Sequence, residues 1–599
     1  MNISRIKIEN FRNFADFDVK LNGNIVVVGE NRVGKSNLLY ALRLLFDPSL
    51  PDSARQLTLS DFWDGLEDIG PEDRITIMVE ILNFEGDSDL VAVLTDFRID
   101  DDPHTARLTY EFRPKQGLEK EPASEDDYEF ICYGGESETK TFGHELRRRI
   151  RMDLLPALRD AEGELANWFH SPLRPLIERA FSHIDREELG EIKEAIENAT
   201  EMLTELDTVE ELEKQLNILF TAMCGPKQDA KLNLGIATTS VAHLYRNIKL
   251  LIDEGRRTIS DASLGSANLI FLTLKSLELK LQIDENKRDH TIFSIEEPEA
   301  HLHPHLQRSV YRHFFKNFVG ANDNSSISFV LTTHSPHVAS IAPLRSLLLM
   351  KGTNDGTVGY STANVPLAEA EVADIERYLD VTRAEMLFSR GVILVEGDAE
   401  KFLLPVFAET LGYNLDHLGV TVCSVAGTNF APYVKFLSCL EIPFAVITDW
   451  DPIEGKDPLG INRAKKLVLL ADEIKNGTSS SDLDNELTQL SEDDINEFCS
   501  RCESFGVFTN FHTLEVDLFE EGFAEKMIDI LSENSWSKKR NVKIGEWSRN
   551  NDALDKEEFL SMVEEIGKGR FAQHLASLVY GIEPPEYIRN SLEYVVNRV

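Results

Sequence analysis

Ile25-Val26-Val27-Val28-Gly29-Glu30-Asn31-Arg32-Val33-Gly34-Lys35-Ser36 decides the fold. The four apolar residues read as a buried strand. Gly29 to Ser36 fits GxxxxGK[ST], and from Ser36 the residues Leu38, Leu39, Ala41, Leu42 and Leu45 recur at helical spacing. Strand, Gly-containing turn and helix in that order make a phosphate cradle. The glycines let backbone N–H groups curl around phosphate oxygens, and the helix N-terminus adds its positive dipole end. On this reading Lys35 reaches the β- and γ-phosphates and Ser36 holds Mg2+. Gly29, Asn31, Gly34 and Asn37 complete an ATP-binding loop.

The other half of such a site is an apolar strand ending in acids. Thr291-Ile292-Phe293-Ser294-Ile295-Glu296-Glu297-Pro298 supplies it. Glu296 would support Mg2+, and Glu297 would polarise the attacking water. A later strand ends in Thr332-Thr333-His334, which places a His where it can sense a γ-phosphate. Upstream, Ser263-Leu264-Gly265-Ser266-Ala267-Asn268 is a small-residue turn before a helix. Its free N–H groups suit a phosphate presented by another subunit. His301, His303 and His305 alternate and could bind zinc, but Pro304 and the acidic context favour a loop beside the nucleotide.

A second constellation begins at Val392-Ile393-Leu394-Val395-Glu396-Gly397-Asp398-Ala399-Glu400. The strand delivers Glu396 to its C-terminal tip, where open α/β sheets place ligand sites. Glu400 falls one turn into the next helix. A further strand ends in Ile447-Thr448-Asp449-Trp450-Asp451. In an extended chain alternate residues point the same way, so Asp449 and Asp451 are expected on one side. Carboxylates converging on one sheet edge repel unless cations lie between them, and oxygen ligands suit Mg2+ or Mn2+.

With 599 residues, the chain is long enough for several domains. Hydrophobic residues make up 42%, so core material is ample. Lys and Arg number 62 against 103 Asp and Glu, a net charge of −41. That excludes a generally basic nucleic-acid coat and leaves local patches or metal ions as the means of touching DNA. The candidate patches are Arg147 to Arg149 with Arg151, Arg463 with Lys465 and Lys466, and Lys538 to Arg540. Six scattered cysteines make no disulfide framework, and the lone Cys499-Ser-Arg-Cys502 lacks zinc partners. No apolar run is long enough for a membrane span and the charged N-terminus is no signal peptide, so a reducing cytoplasm is expected.

Residues 75–115 read as β-rich and 115–145 as a loop or hairpin insertion. The stretch 187–219 reads as helices, either a solvated amphipathic pair or a dimerisation arm. A helix is expected over 367–388 and a mobile polar insertion over 476–496. The expected domains are 1–160, 161–258 (helical), 259–388 and 389–599.

The phosphate-binding pieces, with Ile8-Glu9-Asn10-Phe11-Arg12-Asn13-Phe14, resemble the ABC-type ATPase heads of the SMC, Rad50 and RecF class. That resemblance makes Ser263 to Asn268, with Ser263 and Gly265 binding ATP, the signature motif. It puts His301 in the D-loop and makes His334 the switch histidine. Two departures, SLGS at the signature and Glu at 296, bear on the hydrolysis rate more than on nucleotide binding. The strand-end Glu followed by DxD resembles the Toprim domain, whose common chemistry is metal-assisted phosphodiester transfer.

Head, helical insertion and Toprim unit in this order resemble the OLD (overcoming lysogenization defect) nucleases, which include the Gabija nuclease subunit. Asp153 to Asp160, Ser424 to Phe430, Leu514-Glu515-Val516-Asp517 and Gly567-Lys568-Gly569-Arg570 carry further likeness. The fold implied is α/β, with a helical dimerisation insertion in the head. The function implied is an ATP-binding, metal-dependent DNA endonuclease in anti-phage defence, working as a homodimer or tetramer, in Gabija-type members with a helicase-like partner. The resemblance implies that Glu396, Asp449 and Asp451 hold one Mg2+ or Mn2+. Glu400 with Glu515 or Asp517 helps hold a second, and Lys568 neutralises the phosphate. Glu396 is also placed to act as a general base. The competing reading is a RecF/SMC-like DNA-binding or repair protein without nuclease activity.

Overall fold

The computed structural model describes the chain except residues 119, 123, 158–159, 170, 183, 186, 193, 196–197, 199–205, 225–247, 286–287, 319–325, 453–454, 456–457 and 478–479. It divides into two units, residues 1–157 with 289–299 and 304–599, and residues 158–288 with 300–303.

The first unit opens with β1 (Asn2–Phe11), β2 (Phe14–Lys20), β3 (Ile25–Gly29), β4 (Ile75–Leu82), β5 (Ala106–Pro114), β6 (Tyr128–Gly134) and β7 (Ile150–Leu155). In β1, Ile3, Ile6, Ile8 and Phe11 are fully buried, because one face of the antiparallel sheet β2-β1-β4-β5-β6 is sealed. The 115–145 stretch is thus largely the β5–β6 hairpin.

Short strands β8 (Leu251–Ile252) and β9 (Arg257–Thr258) pair in the second unit. That unit also holds the helices Ala161–Ala166, Leu173–Ser182, Asp207–Cys224 and Leu264–Asp284. The 187–219 stretch is helical where described, and part of it lies outside the described residues.

The first unit resumes with β10 (His290–Glu296), β11 (Ile327–Thr333), β12 (Leu347–Thr353) and β13 (Gly356–Ser361). A second sheet has the order β13-β12-β3-β11-β10-β7. β3 lies between parallel β11 and β12 and is buried throughout, which is why its sequence is an uninterrupted apolar run. β10 and β11 run parallel, so their acidic and His-bearing ends emerge at the same edge as the turn after β3.

The expected helix over 367–388 is broken. Glu369–Tyr378 ends before Asp380, whose side chain accepts from Arg383 N and starts a new short helix, Val381–Ala384.

β14 (Gly391–Val395), β15 (Val420–Ser424), β16 (Phe444–Thr448) and β17 (Val507–Thr509) form a parallel sheet in the order β15-β14-β16-β17. The helices Asp398–Thr410 and Glu586–Val596 pack on it, and Ile393, Val395, Phe407, Ile447 and Leu592 share its core. The polar 476–496 stretch is mostly a helix, not a mobile insertion. Ser480 caps Ser481–Asp493, Leu483 and Leu487 are buried, and Asp484 pairs with Lys465 at 2.8 Å. Its apolar residues at i and i+4 gave a burial stripe that the polar composition hid.

Candidate functional site

Two sites face the chemistry, a P-loop and a carboxylate cluster. In the P-loop, Gly29, Arg32 and Gly34 have φ of 154°, 69° and 89°. At Gly29 a Cβ would lie 2.5 Å from Met350 O, so the sheet itself demands glycine there. Lys35 Nζ donates to Gly29 O (3.0 Å) and Glu30 O (2.7 Å) and lies 3.5 Å from His334 Nδ1. Burial depresses Lys35 to about 8, against the pull of Glu297, Glu299 and Glu30. Ser36 Oγ bonds Glu296 Oε1, which places the two expected Mg2+ supports side by side. Glu297 Oε1 stands 3.7 Å from His334 Nε2.

Asn31 is exposed on the loop. Asn37 is placed differently. Its amide donates to Asn13 Oδ1 (2.6 Å) and accepts from Arg12 (2.8 Å), so it braces the loop to the β1–β2 turn. Ser263 caps the helix Leu264–Asp284, and a Cβ at Gly265 would lie 2.5 Å from His301 O. That contact explains a small residue at 265. Glu299 was missed in the sequence. Its carboxylate accepts from His334 N (2.7 Å) and Thr333 Oγ1 (2.9 Å), and so fixes the histidine's backbone.

In the carboxylate cluster, Glu396 follows β14 and Asp449 follows β16. Glu400 is buried in the helix Asp398–Thr410, Glu515 is buried in Leu514–Leu518, and Lys568 opens Lys568–Ala576. Lys568 Nζ lies 3.8 Å from Glu515 Oε2. Burial works against its charge, but Glu515, Asp449, Glu564 and Glu400 outweigh that and leave it raised. Asp449 Oδ1 accepts from Asn510 Nδ2 and from Leu514 N (3.1 Å). Burial, then Glu400 and Glu396, push Asp449 well above the usual carboxylate range. Burial, then Glu515 and Glu396, push Glu400 to about 7.

Three expectations need correction. Asp449 and Asp451 do not share one extended face, because β16 ends at Thr448 and Asp451 turns to φ 50°. Asp517 has only Oδ1 left for an ion, since its Oδ2 accepts from Phe511 N (2.9 Å) and His512 N (3.1 Å). Glu515 is therefore the better placed of the two. Arg463 does not lie on an open basic surface but sits inside the cluster, paired with Glu396 (2.7 Å) and Asp451 (2.8 Å). Other patch residues are also committed. Arg147 is buried on Leu45 O, Arg149 pairs with Asp289, Arg151 with Asp153, and Arg540 with Glu558 and Glu565. Arg148, Lys466, Lys538 and Lys539 remain exposed.

Among the described residues no three His, Cys, Asp or Glu side chains form a ready metal cage. The donor chemistry nevertheless fits a hard divalent ion. The donors are all oxygens, and the cluster's ion pairs reach Glu396, Asp451 and Glu515 but not Glu400 or Asp449 among the described residues. Burial first, and then the neighbouring carboxylates, raise the pKa of both.

The helix Leu459–Asn476 presses on the Asp449–Asp451 turn. A Cβ at Gly460 would lie 2.8 Å from Asp449 O and 2.8 Å from Trp450 Cα. Gly460→Ala is expected to cost about 1–3 kcal/mol by overpacking backbone against backbone, read by thermal melting. A melting temperature equal to the parent's would show that the helix can retreat.

Glu400 sets a pH dependence. It faces Glu396, Asp449, Glu515, Lys568 and the Tyr587 hydroxyl. Its ordinary value of 4.5 rises to about 7 in the fold. Between those values the unfolded chain binds fewer protons, so stability falls as pH rises through the window. Glu400→Gln is isosteric and does not ionise. In EDTA its melting temperature is expected to gain on the parent's from pH 5 to 7, by up to about 3 kcal/mol of stability. A difference that stays flat across that range would contradict the assignment.

A P-loop head joined to a strand-end carboxylate unit defines an ATPase–Toprim protein. The family model described as AAA ATPase domain matches residues 1–154 and 160–339. The model described as overcoming lysogenization defect protein-like, TOPRIM domain, matches residues 387–451. The chain belongs to the AAA ATPase domain family, in the OLD-like group that carries a TOPRIM domain. It is 23% identical over 500 residues to Endonuclease GajA of Bacillus cereus (strain VD045), covering 78% of this chain and 79% of the relative. It is 24% identical over 490 residues to an OLD nuclease of Thermus scotoductus, covering 79% and 87%. The solved C-terminal region of the Burkholderia pseudomallei OLD protein is 40% identical, covering 35% of this chain and 98% of that one, with a TM-score of 0.30. Among the described residues no helix is long and apolar enough to cross a membrane.

Proposed function

We infer that this protein is an ATP-dependent DNA endonuclease or nickase whose cutting site is the carboxylate cluster. One observation carries the reading. Glu400, Asp449 and Glu515, far apart in sequence, are electrostatically coupled at one sheet edge beside Lys568, and neither Glu400 nor Asp449 has an ion-pair partner among the described residues. A DNA-binding module gains nothing from such a cluster, which repels phosphate.

Bound Mg2+ or Mn2+ would supply an activated water and charge for the leaving oxygen. Glu396, Glu400, Asp449 and Glu515 would hold the ions. Asp451 joins them when its carboxylate is free of Arg463. Lys568 neutralises the charge that builds on the phosphate. Asn510 and the Leu514 amide aim Asp449, and Asp517 fixes the loop that carries Asn510.

In the head, Lys35 and the loop N–H groups bind ATP, and Ser36 and Glu296 hold its Mg2+. Glu297 orients water, and His334 reads the γ-phosphate. Glu30 of the loop pairs with Arg390, just before β14, at 2.7 and 3.1 Å, which supports control of cutting by the nucleotide. Self-association through the helical insertion, a helicase-like partner and a role against phage are proposed with this reading, on the sequence's resemblance to the OLD nucleases.

The test is supercoiled-plasmid cleavage in Mg2+ or Mn2+, with and without ATP. Nicked or linear product is expected. No product from the parent protein in any metal and nucleotide condition would overturn the reading in favour of a RecF/SMC-like DNA-binding protein.

A further inference from the structure

Arg463 lies one turn into the helix Leu459–Asn476, with its side chain 15% exposed. One terminal nitrogen donates to Glu396 Oε1 (2.7 Å), Thr448 Oγ1 (2.6 Å) and Asp449 O (3.2 Å). The other donates to Asp451 Oδ2 (2.8 Å). The guanidinium is planar and its fork spans both carboxylates at once. Glu396 Oε1 also accepts from Asp449 N (3.0 Å) and from the Thr448 hydroxyl, so that oxygen is saturated.

The cluster is thereby split. Glu396 and Asp451 are compensated by an internal cation. Glu400 and Asp449 have no ion-pair partner among the described residues, and Glu515 is only loosely met by Lys568 at 3.8 Å. A divalent ion entering the second group has no ion-paired arginine to displace, whereas one entering the first must displace a part-buried one.

The geometry points to Arg463 as a built-in cation that competes with a divalent ion for Glu396 and Asp451. Building on the nuclease reading, it makes metal loading sequential. The Glu400–Asp449–Glu515 group fills first. The Glu396–Asp451 group fills only when the guanidinium swings away, and a DNA phosphate is the anion able to receive it. Arg463 is in this sense a positioning residue that sets how much metal the free protein carries.

The experiment is a Mn2+ titration of the full chain without nucleotide or DNA, followed by calorimetry and by the spin-resonance signal of free Mn2+. The parent protein is expected to show a tight phase and a weak phase. Arg463→Gln should tighten the weak phase about tenfold and leave the tight one in place. Arg463→Lys keeps the charge but not the fork, and should tighten it by less. Lys465→Ala, which removes a neighbouring charge that pairs with Asp484 instead, should change neither. A weak phase that is unchanged or looser in both Arg463 variants would overturn the proposal, because the arginine would then organise the ligands rather than compete for them. If Arg463→Gln does not fold, Arg463→Lys alone decides. Asp449→Asn reports separately on the underlying reading. If the tight phase survives that change, the metal-site assignment fails, whatever the arginine does.

Discussion

Asp449→Ala is expected to reduce plasmid cleavage by about a thousandfold, the scale seen when one electrostatic group is removed from a preorganised site. Asp449 stands at the centre of the cluster. Its charge couples to Glu400, Glu396 and Glu515, and its Oδ1 is aimed by Asn510 and Leu514 N. Alanine removes the ligand and also leaves two buried donors unanswered, at a cost of about 1–3 kcal/mol. Asp449→Asn separates the effects. It keeps the accepting oxygen, so melting in EDTA at neutral pH should hold or rise as a repelled charge disappears. Cleavage should still be lost. Cleavage within tenfold of the parent in both variants, in either metal, would remove Asp449 from the active site.

Lys35→Ala is expected to weaken ATP binding at least about a hundredfold, since charge-assisted hydrogen bonds to phosphate carry about 1.5–3 kcal/mol each. The ammonium rests on Gly29 O and Glu30 O, with burial holding it at about 8. The triphosphate brings negative charge and favours the protonated form. Above pH 8 binding should therefore take up a proton, and affinity should fall as pH rises. Calorimetry in buffers of different ionisation heat reads both effects. Proton uptake that persists in Lys35→Ala would assign the proton elsewhere, and unchanged ATP affinity would remove Lys35 from the site. Because Glu30 joins the loop to Arg390, the cleavage assay with and without ATP in this variant also reads whether nucleotide control passes through the loop.

Parts of both sites were legible because their signals are local in sequence. GxxxxGKS, SIEEP, VEGDAE and TDWD each combine an apolar strand with polar residues at its end. A parallel sheet converts that pattern into a site edge without further information. The break at Asp380 and the helix Ser481–Asp493 were misread for the converse reason. A single cap residue and two buried leucines outweighed the overall composition of their segments.

The sequence by itself determined the P-loop, the acids at strand ends, the order of head before Toprim unit, and a chain too acidic to be a basic DNA coat. Only the tertiary structure decided which charges meet. Arg463 lies 67 positions from Glu396 and 12 from Asp451 and looked like part of a basic surface patch. Asn510 reaches back 61 positions to Asp449, and Glu299 holds the His334 backbone from 35 positions away. Asp517 was indistinguishable from Glu515 until their partners were seen. Strand and turn preferences arise between near neighbours and leave a mark in sequence, whereas the pairing of a charge is set by whichever distant segment the packed core brings to it.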